Sequence, residues 1–204
     1  MKKVILIGGS PTVGKSTMAQ ALSKKLDLPW ISTDQIREMA KTFADPAKYP
    51  ALFDGGHSEA ESFLKAFTPE EIRKMEFDQG KELWPAIVEF IGNDYTWHDG
   101  FIVEGVNVIP ELVSEYLRGD LKFSVSALFL TDDNEARMEK VIFSRGLWAK
   151  ADTYPDSLKS IELEWAMLFN RKIKQQCIEL NLSYLDVQKN IDIDLKNALK
   201  RLGY

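Results

Sequence analysis

The sequence predicts an α/β fold in which a parallel β-sheet lies between layers of helices. Two observations lead to this prediction. Short, unbroken apolar runs alternate along the chain with longer amphipathic segments, and several of the runs end at glycine or at acidic residues. Unbroken apolar runs are typical of strands buried on both faces, and their alternation with helices favours right-handed crossovers and a parallel sheet. A chain of 204 residues is long enough for one substantial core, so we expect a single domain over residues 1–204.

The strands are predicted from five apolar runs. The first, Val4-Ile5-Leu6-Ile7, ends at a pair of glycines. The five predicted strands are residues 4–7, 29–32, 101–103, 127–130 and 182–187.

The helices are predicted from apolar residues that recur three or four positions apart. In the first of them, Met18, Leu22 and Leu26 recur every fourth residue and therefore share one face. The six predicted helices are residues 15–26, 69–92, 110–118, 133–145, 156–180 and 190–202.

Two stretches are longer than a simple alternation of strands and helices requires. Residues 40–98 separate the second and third predicted strands, and residues 146–155 form a loop between two charged helices. Insertions in α/β folds lie near the ligand crevice at the carboxyl ends of the strands. We therefore expect residues 40–98 to be a helical insertion that contributes to a ligand site, and residues 146–155 to be a lid loop.

Composition narrows the range of functions and locations. Hydrophobic residues make up 45% of the chain and charged residues 28%, which is ordinary for a globular protein. A net charge of -5 is a poor match for polyanionic nucleic acid. The single cysteine, Cys177, excludes an internal disulfide and fits a reducing cytosol, so we expect a cytoplasmic protein. No apolar run is long enough to span a membrane, and the run after the basic start is broken too early for a signal peptide.

The clearest motif is GGSPTVGKST at residues 8–17, of which residues 9–16 match G-x-x-x-x-G-K-S. Glycines let the backbone curl so that its N–H groups point inwards at phosphate oxygens, and the following helix adds the positive end of its dipole. Lys15 can reach the β- and γ-phosphates, Ser16 can bind Mg²⁺, and Thr17 can contact the α-phosphate. The residues predicted to bind ATP are Gly9, Ser10, Pro11, Thr12, Val13, Gly14, Lys15, Ser16 and Thr17.

With a strand before it and a helix after it, this motif resembles that of the P-loop nucleoside-triphosphate-binding superfamily. The resemblance implies a three-layer αβα sandwich with five parallel strands in the order 2-3-1-4-5. The chain has no Asn-Lys-x-Asp sequence of the kind that reads guanine in GTPases. The other motifs favour a small-molecule kinase.

An acceptor site is predicted after the second strand, in Ser32-Thr33-Asp34-Gln35-Ile36-Arg37. Small P-loop kinases have a similar Asp-x-x-Arg at this place. On a helix, Asp34 and Arg37 share one face, where the carboxylate can orient or deprotonate a hydroxyl and the guanidinium can hold an anion. The alternative is that Asp34 is a helix N-cap.

Glu104 ends the third predicted strand, and Asn107 follows it closely. In the superfamily an acid at this place lies near the metal, which implies that Glu104 and Ser16 organise Mg²⁺. The alternative is that Glu104 caps a turn at the end of the strand. Both Glu104 and Asn107 are predicted to contribute to substrate binding.

Arg137 and Arg145 lie eight residues apart on one side of a predicted helix that leads to the lid loop. A lid arginine can cover the transferring phosphoryl group, whose charge is spread over three oxygens. The alternative is a solvated basic face.

Three stretches, GGSPTVGKST, ISTDQIRE and VEGVNVIP, together with EWAMLFNRKIKQQCIELNLSYLDV, are similar to the corresponding parts of 2-phosphoglycerate kinases. That family is expected to have a histidine after Glu-Gly-Val, where this chain has Asn107, a neutral amide in place of a ring that can carry charge. The resemblance implies ATP-dependent phosphoryl transfer.

We therefore predict an ATP- and Mg²⁺-dependent kinase that phosphorylates a hydroxyl of a small anionic metabolite, with 2-phosphoglycerate as the acceptor suggested by the resemblance. The predicted catalytic residues are Lys15, Asp34, Arg137 and Arg145. The predicted substrate-binding residues are Asp34, Arg37, Glu104 and Asn107. One alternative is a kinase of nucleosides, nucleotides or polynucleotide 5′-hydroxyls, and another is a regulatory protein that binds ATP and hydrolyses it slowly or not at all.

Four further residues have side chains that could contact a ligand or a metal. His57 and His98 lie 41 residues apart and do not have the spacing of a metal site, so we expect solvated or structural histidines. Cys177 is expected to be a buried, inert thiol. Trp148, in the lid loop, is the tryptophan expected to cover a ligand.

Overall fold

The computed structural model of the protein describes residues 2–54, 60–93, 99–147, 150–188 and 190–204. Its sheet has five strands, which lie in the order β2-β3-β1-β4-β5 with every neighbouring pair parallel. This confirms the order predicted from the resemblance. The strands are β1 (Lys3–Gly9), β2 (Trp30–Ser32), β3 (Gly100–Glu104), β4 (Ser124–Thr131) and β5 (Tyr184–Asp186).

The six predicted helices are confirmed, each to within two residues at either end. The described part of the chain adds one helix directly after β2 and a short one in the insertion. The helices are α1 (Lys15–Leu26), α2 (Thr33–Phe43), α3 (Ala60–Ala66), α4 (Pro69–Gly92), α5 (Pro110–Leu117), α6 (Glu135–Arg145), α7 (Asp156–Glu179) and α8 (Ile191–Leu202). None of these described helices combines the length and the apolar character needed to cross a membrane.

Alternation along β1 separates two apolar layers, one on each face of the sheet. Val4 and Leu6 belong to the cluster formed with α4, α5 and α7, whereas Ile5 and Ile7 belong to the cluster formed with α1 and α8. All four side chains are at most 1% exposed. A central strand buried on both faces is what an unbroken apolar run predicts.

Helix α4, in the long stretch between β2 and β3, is part of the main core. Its Phe77 ring lies 5.0 Å from the ring of Phe169 on α7, and Leu83 is fully buried against the sheet layer. Helix α4 is therefore fixed by packing in the core, and it brings polar residues to the carboxyl edge of the strands.

Candidate active site

The loop between β1 and α1 has a backbone conformation that depends on glycine. Gly9 has a φ of 140°, and a Cβ atom at this position would lie 2.3 Å from the carbonyl oxygen of Leu130. Gly14 has a φ of 89° and Thr12 a φ of 69°. Left-handed residues turn successive peptide N–H groups towards one centre, which is the geometry of an anion-binding nest.

The amino terminus of α1 has no capping side chain. Gly14 is the N-cap residue, no side chain accepts a hydrogen bond there, and the first turn contains no acidic residue. The hydroxyl oxygen of Thr12 is also buried and has no hydrogen-bond partner among the described residues. Free helix N–H groups and the positive end of the helix dipole fit a phosphate chain.

Lys15 lies between the phosphate loop and two carboxylates. Its Nζ donates a hydrogen bond to the carbonyl oxygen of Ser10 at 2.7 Å. Burial lowers the pKa of Lys15 to about 8, while the carboxylates of Glu104 and Asp34 oppose this effect. The ammonium group is therefore charged at neutral pH and is close to both predicted acids.

Ser16 and Glu104 form a pair of oxygen ligands. The Ser16 hydroxyl donates a hydrogen bond to Oε1 of Glu104 at 3.0 Å. Strand register explains this contact, because Glu104 lies beside Ile7 of β1 and Ser32 of β2 at the carboxyl edge of the sheet. Burial raises the pKa of Glu104, and the hydrogen bond from Ser16 favours its charged form.

These two ligands fit Mg²⁺, which keeps several waters and is held in proteins by few carboxylates together with substrate phosphates. Among the described residues there is no cluster of three or more histidines, cysteines and acids that could hold a metal by itself. Any Mg²⁺ held by Ser16 and Glu104 would therefore depend on phosphate oxygens for much of its coordination.

Ser10 and Val13 support the loop from behind. Both are buried, and neither lines the cavity in front of the loop. The Ser10 hydroxyl donates to Oδ1 of Asn170, whose amide also bonds to the backbone N–H and carbonyl of Asp132. Asn170 of α7 was not predicted from sequence. The detectable signal is a polar residue within the buried stripe of α7 that includes Ala166 and Ile173.

A cavity of about 510 Å³ opens in front of the phosphate loop, within the usual range for a small-molecule site. It joins the loop to α2, to the stretch that follows α2, to α4 and to the end of α6. Its lining residues are Pro11, Thr12, Gly14, Lys15, Ser16, Thr17, Asp34, Arg37, Glu38, Lys41, Leu52, Asp54, Glu76, Gln79, Glu104, Gly105, Val106, Arg145, Leu147 and Trp165.

Asp34 and Arg37 both line this cavity. The N-cap of α2 is Ser32, whose hydroxyl accepts a hydrogen bond from the N–H of Asp34, so the alternative that Asp34 is itself the cap is wrong. Asp34 is free to face the cavity, where its Oδ1 lies 3.2 Å from Nη1 of Arg37. Arg37 also donates to Oε1 of Gln79 at 3.0 Å and to Oε1 of Glu38 at 3.2 Å.

Glu76 and Gln79 of α4 were not predicted from sequence, and both line the cavity. Oε2 of Glu76 is buried and has no hydrogen-bond partner among the described residues. Burial raises the pKa of Glu76 to about 7, an effect that Arg37 and Lys15 partly oppose. The sequence signal is an apolar stripe, Ile72 to Leu83 and beyond, that these two polar residues interrupt at helical spacing.

Asn107 does not line the cavity. It is fully buried behind Gln79, to which its side-chain amide donates a hydrogen bond at 3.4 Å. The substrate-binding role predicted for Asn107 stays a prediction, and this contact favours an indirect one in which it orients Gln79.

The two arginines of α6 are placed differently. Arg145, the last residue of the helix, lines the cavity and is close enough to Lys15 to lower its pKa. Arg137 points away from the cavity lining: its Nε donates to Asp132 at 2.8 Å and its Nη2 to the carbonyl oxygen of Val187 at 2.8 Å. These contacts tie α6 to the ends of β4 and β5, and the catalytic role of Arg137 stays a prediction.

The side of the cavity that follows α6 is lined by Leu147 and Trp165. Leu147 is held near Glu162 of α7, which accepts hydrogen bonds from the N–H of Leu147 and from the hydroxyl of Tyr154. Part of the predicted lid lies outside the described residues, as do Trp148, His57 and His98. The prediction for Cys177 is confirmed, since the thiol is free and buried, and burial raises its pKa to about 12.

The chain is similar in sequence to proteins that are named 2-phosphoglycerate kinase. The chain is 24% identical to a 2-phosphoglycerate kinase of Methanothermobacter thermautotrophicus over 205 aligned positions, which include 97% of this chain and 65% of that protein. It is 29% identical to the 2-phosphoglycerate kinase of Methanococcus maripaludis strain C5 over 118 positions, 55% of this chain and 38% of that protein. The chain is similar to 2-phosphoglycerate kinases. It spans less than two thirds of the length of these curated relatives, and no protein-family model matches it.

Solved structures identify the fold. A gluconokinase from Sinorhizobium meliloti superimposes with a TM-score of 0.58 over 98% of this chain and 91% of that chain, at 16% sequence identity. A shikimate kinase from Aquifex aeolicus does so with a TM-score of 0.53 over 98% of this chain and 95% of that chain, also at 16% identity. The chain has the P-loop αβα fold, as predicted.

Proposed function

We propose that this protein is an ATP- and Mg²⁺-dependent kinase that transfers the γ-phosphoryl group of ATP to a hydroxyl of a small metabolite. One observation carries the proposal. The phosphate loop with Lys15, the Ser16–Glu104 pair and the carboxylate of Asp34 all face a single cavity. A site for triphosphate and a group that can accept a hydroxyl proton are thus close together. The name of the curated relatives supports the same class of reaction.

In this proposal the residues at the phosphate end act by position and charge. The N–H groups of the loop and of the first turn of α1 hold the triphosphate, and Lys15 neutralises its outer oxygens. Ser16 and Glu104 would hold Mg²⁺, which would supply positive charge against the phosphate oxygens. Arg145 reaches the same region from the end of α6.

The transfer itself forms one bond and breaks one. The acceptor oxygen bonds to the γ-phosphorus as the bond from that phosphorus to the bridging oxygen of ADP breaks. Asp34 accepts the hydroxyl proton and releases it to solvent, so the products are the phosphate ester, ADP and a proton. Because such transition states are loose, positioning contributes more than strong base catalysis.

An assay of ADP release tests this proposal. The full chain with ATP and Mg²⁺ is mixed with hydroxyl-bearing metabolites, beginning with 2-phosphoglycerate because the curated relatives have its name. We expect at least one small acceptor to raise ADP release well above the basal rate, with a phosphate ester as the second product. Basal ADP release that no acceptor changes would contradict the kinase and favour the regulatory alternative.

A further inference from the structure

The cavity has two ends with different charges. At the phosphate end, the cation Lys15 lies near the carboxylate of Glu104, and Arg145 is close enough to Lys15 to lower its pKa. The other end, which we call the acceptor end, is formed by α2, by the stretch that follows it and by α4. Its charged lining residues are the acids Asp34, Glu38, Asp54 and Glu76 and the bases Arg37 and Lys41.

Both bases of the acceptor end are already paired with acids of the same end. Arg37 lies 3.2 Å from Asp34 and 3.2 Å from Glu38. Lys41 lies 3.2 Å from Glu38. Among the described residues, the acceptor end therefore has no cation without an ion-pair partner, and its acids outnumber its bases.

An anionic acceptor does not fit this arrangement. A phosphate or carboxylate group would have to separate Arg37 from the carboxylates of Asp34 and Glu38, and it would then share the cavity with both of them and with Asp54. Bringing like charges together in a partly enclosed site is costly, because each charge is less screened there than in water.

The polar groups that remain at the acceptor end accept hydrogen bonds. Oε2 of Glu76 has no partner among the described residues, although it is buried and its side chain lines the cavity. Asp34 keeps a side chain that is 60% exposed. Hydroxyl groups are the donors that complement carboxyl oxygens. Trp165 adds an apolar ring to the same cavity.

We propose that the acceptor is a polyhydroxylated molecule without a phosphate or carboxylate group, and that Glu76 binds one of its hydroxyls while Asp34 binds the one that is phosphorylated. This inference rests on the proposed kinase function and changes its substrate class. The anionic acceptor predicted from sequence depended on Arg37 as a free cation, and the ion pairs of Arg37 remove that reason.

An acceptor panel matched by charge tests the substrate class. Each set compares a neutral polyol, the acid derived from it and a phosphate ester of the polyol or of the acid. One set is glycerol, glycerate and 2-phosphoglycerate, and another is a hexose, its aldonic acid and the hexose 6-phosphate. We expect a neutral member to give the highest kcat/KM for ADP release, by at least about tenfold over the charged members of its set.

Three outcomes of the panel are distinguishable. A charged acceptor with the highest kcat/KM, 2-phosphoglycerate included, overturns this inference and leaves the proposed kinase intact. ATP binding without stimulation by any acceptor contradicts the kinase and this inference together. A preference for neutral members supports both.

Substitution of Glu76 tests its part separately. Glu76→Gln keeps the shape but weakens an acceptor of hydroxyl hydrogen bonds, and we expect kcat/KM for the polyol to fall about 10- to 100-fold, chiefly through KM. The KM for ATP should stay within about twofold. The control is Asp78→Asn on the same helix, whose carboxylate pairs with Lys74 and Lys81 and does not line the cavity. An equal loss for ATP and polyol, or no loss for either, would overturn the role of Glu76.

Discussion

The phosphate end and the acceptor end of the cavity are built in different ways. The phosphate end uses one continuous stretch, residues 9–17, and its binding groups are largely backbone N–H groups held by left-handed turns. The acceptor end uses side chains from α2, from the stretch after it and from α4, which are remote in sequence. Backbone groups serve every triphosphate alike, whereas side chains can be exchanged to suit one acceptor.

The two ends also differ in how their charges are balanced. Lys15 is charged and donates its hydrogen bond to the backbone carbonyl oxygen of Ser10 rather than to a carboxylate, so this end favours a ligand of negative charge. Arg37 is paired with two acids, and the Oε2 atom of Glu76 is buried without a hydrogen-bond partner among the described residues. This contrast indicates that a cation in a sequence motif predicts anion binding only when that cation is not already paired with a nearby acid.

The largest effect is expected at the phosphate end. Lys15→Ala removes the ammonium group beside the proposed triphosphate site, so turnover should fall by about 10³-fold or more. The temperature of thermal unfolding should be unchanged or slightly higher. Burial disfavours the charged form of Lys15, as its lowered pKa shows, so removing this charge does not destabilise the fold. The matched control is Lys24→Ala in the exposed last turn of the same helix, which should keep the parent rate. Turnover by Lys15→Ala at a tenth of the parent rate or better would contradict the role of Lys15.

Asp34→Asn separates the two ends. We expect phosphoryl transfer to fall by about 10²- to 10⁴-fold, while ATP binding measured by calorimetry changes little. The matched control is Asp192→Asn, since Asp192 also lies in the first turn of a helix but far from the cavity. Transfer at the parent rate by Asp34→Asn would show that this carboxylate has no chemical role.

Glu76, at the acceptor end, should make the free energy of unfolding of the chain depend on pH. Its pKa is about 7 in the folded chain and about 4.5 in the unfolded one, with Asp34 and Arg37 of α2 and Lys15 of α1 facing it. Between about pH 4.5 and pH 7 the folded state therefore keeps a proton that the unfolded state has released. The stability that this proton contributes is fully present below the unfolded pKa and is lost as the pH rises through about 7.

Glu76→Gln removes this titration. Its free energy of unfolding should be close to that of the parent at about pH 4, below the unfolded pKa, and exceed it by ~1–3 kcal/mol at about pH 8, as measured by urea denaturation. Asp78→Asn should shift stability by ~0.5 kcal/mol and by a similar amount at both pH values. A difference between Glu76→Gln and the parent that is independent of pH would rule out a raised pKa for Glu76.

The smallest effect sharpens the contrast in charge. Glu38→Gln removes the acid that pairs with both Arg37 and Lys41. We expect kcat/KM for the acid or phosphate ester of a polyol to rise about 3- to 10-fold relative to the neutral member. Glu61→Gln, which breaks a comparable surface pair with Lys65 on α3, is the control. An unchanged ratio would mean that these ion pairs do not exclude anionic acceptors.

How much could be predicted from the sequence follows the same division. The phosphate loop was predictable because its chemistry depends on adjacent residues, and β1 and β3 were predictable as strands because their apolar runs are buried on both faces. The closeness of Ser16 and Glu104 was implied by the resemblance to P-loop proteins, and the register of β1 and β3 explains it.

Glu76, Gln79 and Asn170 could not be assigned from sequence, because nothing local distinguishes them from other polar residues on amphipathic helices. Only the tertiary structure shows that Gln79 contacts Arg37, from which it is 42 residues distant. The two arginines of α6 share one side of the helix in sequence, but Asp132 and Val187 hold Arg137 away from the cavity lining.

The most direct test of the account is a calorimetric titration of the folded chain with ATP and Mg²⁺, run beside Lys15→Ala. Because the uncapped start of α1 and Lys15 both face the triphosphate, we expect the parent to bind with a Kd between about 1 μM and 1 mM, and Lys15→Ala to give no measurable heat. No heat with the parent, or equal affinity in both proteins, would contradict the central claim that this loop binds a nucleoside triphosphate.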